Sequence, residues 1–341
     1  FQPIPITRTA TKEEALKVLE NSELFPGISA QSVPVRSYPS MAGENGVHVL
    51  GYVSSVNESD LADTSKNYYR EETIGKDGLE LQYDQYLRGK AGIKTVIVDR
   101  KESVTKQAVS TQPISGFNLV TNLDARLQAA TEKALQSSVL RAKSLGGRAD
   151  GGAAIVMEVN SGKILALASY PTYDPNIWQV GLTQKQATNL FSESSGVPAL
   201  NRPLQGMYAP ASTFKSISAV AAINAGYNMN SSYKCPAKVL IGNREFANFE
   251  TKSQGTINMK RAIAVSCDTI WYRIAFDEWL RDGGLKPKST ANDYFYNAAK
   301  GFQVGKKTGI DLPSESSGRL ADRQWRKSWY QQNKDFYCNY K

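Results

Sequence analysis

Ser212 and Lys215 stand three residues apart in the run Tyr208-Ala-Pro-Ala-Ser-Thr-Phe-Lys215. Positions i and i+3 share a helix face, so the Lys215 amine can reach the Ser212 hydroxyl. A serine nucleophile beside a lysine base can transfer acyl groups without a histidine. The chain has one histidine, His48, far back in another stretch. A Ser-His-Asp triad therefore has one possible base, and it lies outside the motif. Ser-x-x-Lys also occurs at Ser103–Lys106 and Ser231–Lys234. The first sits in a charged stretch, and the second lies between Asn228-Met-Asn and Cys235-Pro236, a loop pattern. Only Ser212 follows a proline and opens the apolar run Ile217-Ser-Ala-Val-Ala-Ala-Ile-Asn-Ala-Gly226. Pro210 suits a first helical turn and Gly226 a stop. The plainer alternative is a capped core helix with a solvated lysine.

Ser266-Cys-Asp268 begins 54 residues after Ser212. Ser-x-Asn/Asp is a common pattern, also met at Ser55-Val-Asn57 and Ser65-Lys-Asn67 in polar segments. Ser266 differs because Met259, Ile263, Ser266, Ile270 and Ile274 fall at helical spacing. A hydroxyl in an apolar stripe needs a partner, and a cleft with Ser212 and Lys215 supplies one. The plainer alternative is a hydroxyl bonded to its own helix carbonyl. In one unbroken helix Ser266 and Asp268 would point roughly 200° apart. If both serve one cleft, the backbone must break near Cys267.

With these two motifs in order, the chain resembles the class B penicillin-binding proteins, peptidoglycan D,D-transpeptidases. It is most similar to their elongation-type branch, where the second motif often ends in Asp. Phe25-Pro-Gly-Ile-Ser29, His48-Val-Leu-Gly-Tyr52, Ile74-Gly-Lys-Asp-Gly-Leu-Glu80, Tyr83-Asp84 and Leu87-Arg-Gly89 resemble the family's N-terminal pedestal. Gly305-Lys-Lys-Thr-Gly-Ile-Asp-Leu-Pro313 resembles a loop that follows the second motif. The family's third motif, Lys-Thr/Ser-Gly, lies on a strand edging the cleft. Lys307-Thr-Gly309 has those letters but belongs to the loop motif, and Pro313 suits no central strand. The expectation is therefore that 307–309 is not the cleft strand and that the transpeptidase domain is incomplete at Lys341.

The resemblance implies roles for four residues. Ser212 attacks the penultimate D-Ala carbonyl of a stem peptide. Lys215 takes the serine proton, Ser266 relays it to the leaving amine, and Asp268 orients Lys215 or the substrate amide. The resemblance further implies peptidoglycan stem peptides and β-lactams as ligands, with no cofactor and no metal. It also implies a membrane SEDS-type glycosyltransferase as partner. The expected location is the extracytoplasmic membrane face, through an N-terminal transmembrane anchor absent from this chain. Two other readings stay open: a β-lactam sensor or β-lactamase-like acyl-serine protein, and a non-catalytic cell-wall scaffold.

Composition sets outer bounds. The formal charge of +9 suits an anionic surface or polymer, or serves solubility alone. No basic–aromatic block or recognition motif points to nucleic acid. Cys235, Cys267 and Cys338 show no metal-ligand spacing. With a single histidine, a zinc site is disfavoured.

Elements must hold these groups in place. A chain of 341 residues suggests at least two domains. The polar, proline-bearing stretch from Ser103 to Gly116 marks a boundary, giving a pedestal over 1–110 and a transpeptidase domain over 111–341. Val47–Val53 and Thr95–Val98 read as strands. Thr11 heads a helix to Leu24 through a capping box with Glu14, and Asp124 caps another. Ala153–Val159 and Lys163–Ser169 read as a hairpin around Asn160-Ser-Gly162. The glycines at 146, 147, 151 and 152 precede a strand rather than follow one, which excludes a phosphate loop. The expected class is α+β, with helices packed on an antiparallel sheet.

Overall fold

The computed structural model describes residues 6–7, 10–32, 35–39, 46–70, 72–98, 104–179 and 181–339. Ser103, and with it one competing Ser-x-x-Lys pattern, lies outside these residues. The chain packs as two compact units. The first comprises Phe1–Gly206 with Ile310–Glu315, and the second comprises Met207–Gly309 with Ser316–Lys341.

The first unit opens with α1 (Lys12–Glu20), whose Thr11–Glu14 capping box forms as expected. The helix stops at Asn21, short of Leu24. Helix α2 (Val47–Leu50) precedes β1 (Val53–Ser55), α3 (Glu58–Ala62) and β2 (Thr73–Gly75), and β1 pairs antiparallel with β2. The expected strand over Val47–Val53 is thus a helical turn followed by a short strand. Val47, His48 and Val49 are all buried, so the segment lacks the in–out alternation a half-exposed strand needs. Gly51 then turns the chain at φ +78°, and a Cβ there would lie 1.8 Å from the Asp77 carbonyl oxygen. A Cβ on Gly78 would lie 2.5 Å from the Gly51 backbone nitrogen. The glycines of the two pedestal-like motifs are thus the points where two backbones touch.

Helices α4 (Gly78–Gln82) and α5 (Asp84–Leu87) lead to the antiparallel pair β3 (Ile93–Val98) and β4 (Val104–Thr111). Strand β4 occupies most of the stretch read as a boundary. Polar composition did not prevent a strand there, because its β-branched residues suit an extended ladder. Helix α6 (Ala125–Ser144) starts at Asp124, whose carboxylate accepts the Arg126 and Leu127 amides at 2.9 Å each. It packs on the hairpin β5 (Gly152–Met157) and β6 (Ile164–Tyr170), the helix-on-sheet arrangement expected. Gln128 of α6 exchanges two 2.8 Å hydrogen bonds with the Leu167 backbone, fixing the helix to β6. Helices α7 (Gln184–Phe191) and α8 (Arg202–Gln205) complete the unit. Val49, Leu79, Leu167, Leu204 and Leu312 form one core, so residues on both sides of position 110 share it.

The second unit carries α9 (Lys215–Asn224), β7 (Tyr233–Cys235), β8 (Lys238–Ile241), β9 (Arg244–Ala247), β10 (Gly255–Ile257), α10 (Met259–Ala264), α11 (Thr269–Arg281), α12 (Tyr294–Gly301) and α13 (Arg323–Asn339). Strands β7 and β10 pair antiparallel, as do β8 and β9. Helix α9 packs against α10, α11 and α12. Ala219, Ala222, Met259, Ala262, Ile270, Trp271 and Ile274 form the core, with Cys235 and Cys267 among them. These two cysteines are joined in a disulfide, with Cα atoms 6.5 Å apart.

Candidate active site

Pro210 leads into a 3₁₀ turn, Ala211–Phe214, that runs into α9. Ala211 has φ +48°, a left-handed value rare for a residue with a Cβ. This kink sets Ser212 at the head of the helix. Lys215 follows one turn later and is buried. Its Nζ lies 3.1 Å from Ser212 Oγ. The i+3 geometry read from the sequence is therefore formed.

The apolar stripe from Met259 to Ile274 breaks where expected. Helix α10 ends at Ala264 and α11 begins at Thr269. Between them Ser266 sits at φ +54°, again a strained value for serine. The break turns Ser266 and Asp268 to the same place. Ser266 Oγ lies 2.9 Å from Ser212 Oγ and 2.8 Å from Lys215 Nζ. Asp268 Oδ1 lies 2.6 Å from Lys215 Nζ. All four residues singled out from the sequence meet at one amine.

The count of hydrogens around that amine is informative. Lys215 Nζ stands within 3.1 Å of four oxygens: Ser212 Oγ, Ser266 Oγ, the Ser266 carbonyl and Asp268 Oδ1. An ammonium has three hydrogens and an amine two. The two serine oxygens carry hydrogens of their own. Four contacts on so few hydrogens leave at least one shared, or one running from a hydroxyl to the nitrogen. The cluster can therefore pass protons among two hydroxyls and an amine without any group moving far.

Other groups are accounted for elsewhere. His48 Nε2 lies 2.8 Å from the Pro198 carbonyl and donates to it. Burial pushes the ring's pKa down to about 4. That nitrogen is engaged, and the ring is no part of the serine cluster. Lys307, Thr308 and Gly309 lie in no strand, and Gly309 has φ +87°. Ser231 lies in a bend, as read. Among the described residues, no group of three or more His, Cys, Asp or Glu side chains could hold a metal ion. None of the helices there is long and apolar enough to cross a membrane.

Two features behind the cluster were not read from the sequence. One is the Cys235–Cys267 disulfide, since three cysteines in one chain do not declare a pair. The other is Asn248, in the polar run after β9. Its Oδ1 accepts the Asp268 and Thr269 amides at 2.9 and 3.1 Å. No residue pattern marked it, because the two site amides it holds lie 20 and 21 residues away along the chain.

The chain matches known proteins along most of its length. The penicillin binding protein transpeptidase domain matches residues 152–335, and the penicillin-binding protein dimerisation domain matches residues 1–121. Peptidoglycan D,D-transpeptidase MrdA of Escherichia coli K12 is 30% identical over 97% of this chain and 50% of its own length. The MrdA of Acinetobacter baumannii is 29% identical over 95% of this chain and 45% of its own. Among solved structures, a peptidoglycan synthase complex described as coordinating polymerization and crosslinking aligns with a TM-score of 0.66 at 29% identity. It covers 83% of this chain and 48% of the other. A complex of penicillin-binding protein PBP2 with MreC from Helicobacter pylori aligns at 0.63 and 26% identity, covering 84% and 49%. The chain spans about half the length of the curated relatives it matches. On two ordered domain matches, the larger of them over more than half of its length, the chain belongs to the penicillin-binding protein transpeptidase family.

Proposed function

We propose that this chain forms the acyl-serine site of a peptidoglycan D,D-transpeptidase. The observation that carries the reading is the convergence of Ser212, Ser266 and Asp268 on the Lys215 amine. Ser212 Oγ attacks the carbonyl of the penultimate D-Ala, and its proton passes to the Lys215 nitrogen. Ser266, in contact with both, carries a proton on to the leaving D-Ala nitrogen. The amine of a second stem peptide then attacks the acyl-serine, and Ser212 recovers its proton. The Ser212 backbone N–H, at the head of a helical turn, is one donor for the oxyanion. Asp268 orients Lys215. A β-lactam acylates Ser212 by the same first step.

Residues 1–110 are the pedestal in this reading, and residues 111–341 belong to the transpeptidase domain. In this reading the partner is a membrane glycosyltransferase of SEDS type; the solved peptidoglycan synthase complex that the chain resembles, described as coordinating polymerization and crosslinking, supports a polymerising partner. The reading places the site at the extracytoplasmic membrane face, where stem peptides are found.

The test is acylation of the full-length protein by a penicillin, with the adduct mapped by mass spectrometry. The expected adduct is on Ser212 and is absent from Ser212→Ala. An adduct on Ser231 or Ser266 sinks the assignment. Rapid hydrolysis of the adduct favours a β-lactamase-like protein. Absence of any adduct favours a scaffold.

A further inference from the structure

Asp268 occupies the N-cap position of α11, yet its side chain caps nothing there. An aspartate at a helix start ordinarily turns its carboxylate onto the first free amides. Here the backbone at the helix start is held instead by a side chain from another segment. Asn248 Oδ1 accepts the N–H groups of Asp268 and Thr269 from outside the helix. The Asp268 carboxylate faces Lys215 at 2.6 Å.

Asn248 is itself firmly held. It is 7% exposed. Its Nδ2 donates to the Pro236 carbonyl at 2.9 Å and to the Lys252 carbonyl at 2.8 Å, and lies 3.4 Å from Cys235 Sγ. Cys235 is bonded to Cys267, the residue between Ser266 and Asp268. The turn is thus tied at two successive residues, by a covalent bond at Cys267 and by an amide hydrogen bond at Asp268. A serine at φ +54° persists only where its surroundings hold it, and these two ties do so.

We propose that Asn248 is a positioning residue for acyl transfer: by holding the Asp268 and Thr269 amides, it fixes the backbone that carries the Asp268 carboxylate onto Lys215. This rests on the proposed function above. Without Asn248, the backbone at Asp268 is no longer held and Lys215 loses the contact that orients it.

The test is the kinetics of penicillin acylation in the full-length protein. It separates noncovalent affinity, the limiting acylation rate constant and the fraction of protein that can be acylated. In Asn248→Ala the rate constant is expected to fall about 10- to 100-fold, the scale of a misplaced catalytic group. Noncovalent affinity and the acylatable fraction should stay near wild type, whereas a simple folding defect lowers the fraction instead. Asp268→Ala should lose rate to a similar degree, and adding Asn248→Ala to it should cost little more. If Asn248→Ala does not fold, Asn248→Ser decides, since it keeps a polar group but is too short to reach both amides. An unchanged rate constant in the folded Asn248 variant overturns the proposal. So does a normal rate in Asp268→Ala, or a full further loss in the double variant. A wild-type protein that forms no Ser212 adduct overturns the proposed function and this inference together. A normal wild-type adduct with an unaffected Asn248 variant overturns the inference alone.

Discussion

Ser212 Oγ and Ser266 Oγ lie 2.9 Å apart although 54 residues separate them in the chain. The contact exists because two kinks oppose each other. Ala211 turns left-handed just before Ser212, and Ser266 is itself left-handed at the end of α10. Neither kink has a glycine to ease it, so each costs on the order of 1 kcal/mol or more. Strain placed at both hydroxyls and nowhere else in the cluster is what a preorganised site requires.

Removing the second hydroxyl should slow the reaction without removing the nucleophile. Ser266→Ala is expected to lower the acylation rate constant about 10²-fold or more, the scale of one proton-transfer group. The adduct should still map to Ser212. Stopped-flow acylation with a penicillin reads this, and a near-normal rate would dismiss the relay role.

Lys215→Arg preserves charge but cannot furnish a neutral base near pH 7. The site also lacks room for a planar fork, because Nζ already touches four oxygens within 3.1 Å. A loss of about 10²-fold or more in acylation is expected. Retention of the wild-type rate would assign Lys215 to anchoring rather than to proton transfer.

Much of this site was readable because its logic is local. Ser212 and Lys215 share a helical turn, so spacing alone predicts contact. Ser266 showed itself as a hydroxyl in an apolar stripe, and the need to turn Asp268 the same way foretold the break at Cys267. Asn248 had no such signal, because its work is done on the backbone of a segment 20 residues away. The disulfide was equally silent, since pairing depends on how β7 meets the α10–α11 turn. In the first unit, Val47–Val53 read as a strand on composition. The Gly51–Gly78 backbone contact decided otherwise, and contact between distant backbones leaves only isolated glycines in a sequence.

The disulfide closes a loop across a sequence separation of 32 residues. Chain-entropy arguments put its contribution at about 4 kcal/mol. Urea unfolding of Cys235→Ala/Cys267→Ala should show a loss of that order. No loss in the urea midpoint would mean that buried packing at 235 and 267 suffices without the bond.

Gly51→Ala tests the backbone contact in the first unit. Its Cβ would fall 1.8 Å from the Asp77 oxygen, and the residue sits at φ +78°. Clash and strain act together against main-chain atoms that cannot rotate away. Destabilisation of about 3 kcal/mol is expected. A melting temperature within a degree of wild type would show that the two segments separate at no cost.

His48 should give the first unit a pH-dependent stability. Its ring is 4% exposed and donates to the Pro198 carbonyl, and burial lowers its pKa from 6.5 to about 4. Between those values the unfolded chain binds a proton that the folded chain refuses. The unfolded state therefore gains, and stability falls as pH drops through that window. Above about pH 6.5 the ring is neutral in both states and contributes no slope. Below about pH 4 it is charged in both, and the slope vanishes again. A shift of this size corresponds to about 3 kcal/mol across the window. His48→Gln keeps a donor for Pro198 but cannot titrate, so its stability should vary less between pH 6.5 and 4. Urea midpoints of the two proteins measured across that range make the comparison. Parallel curves would show that His48 takes up its proton equally in both states, contrary to its burial.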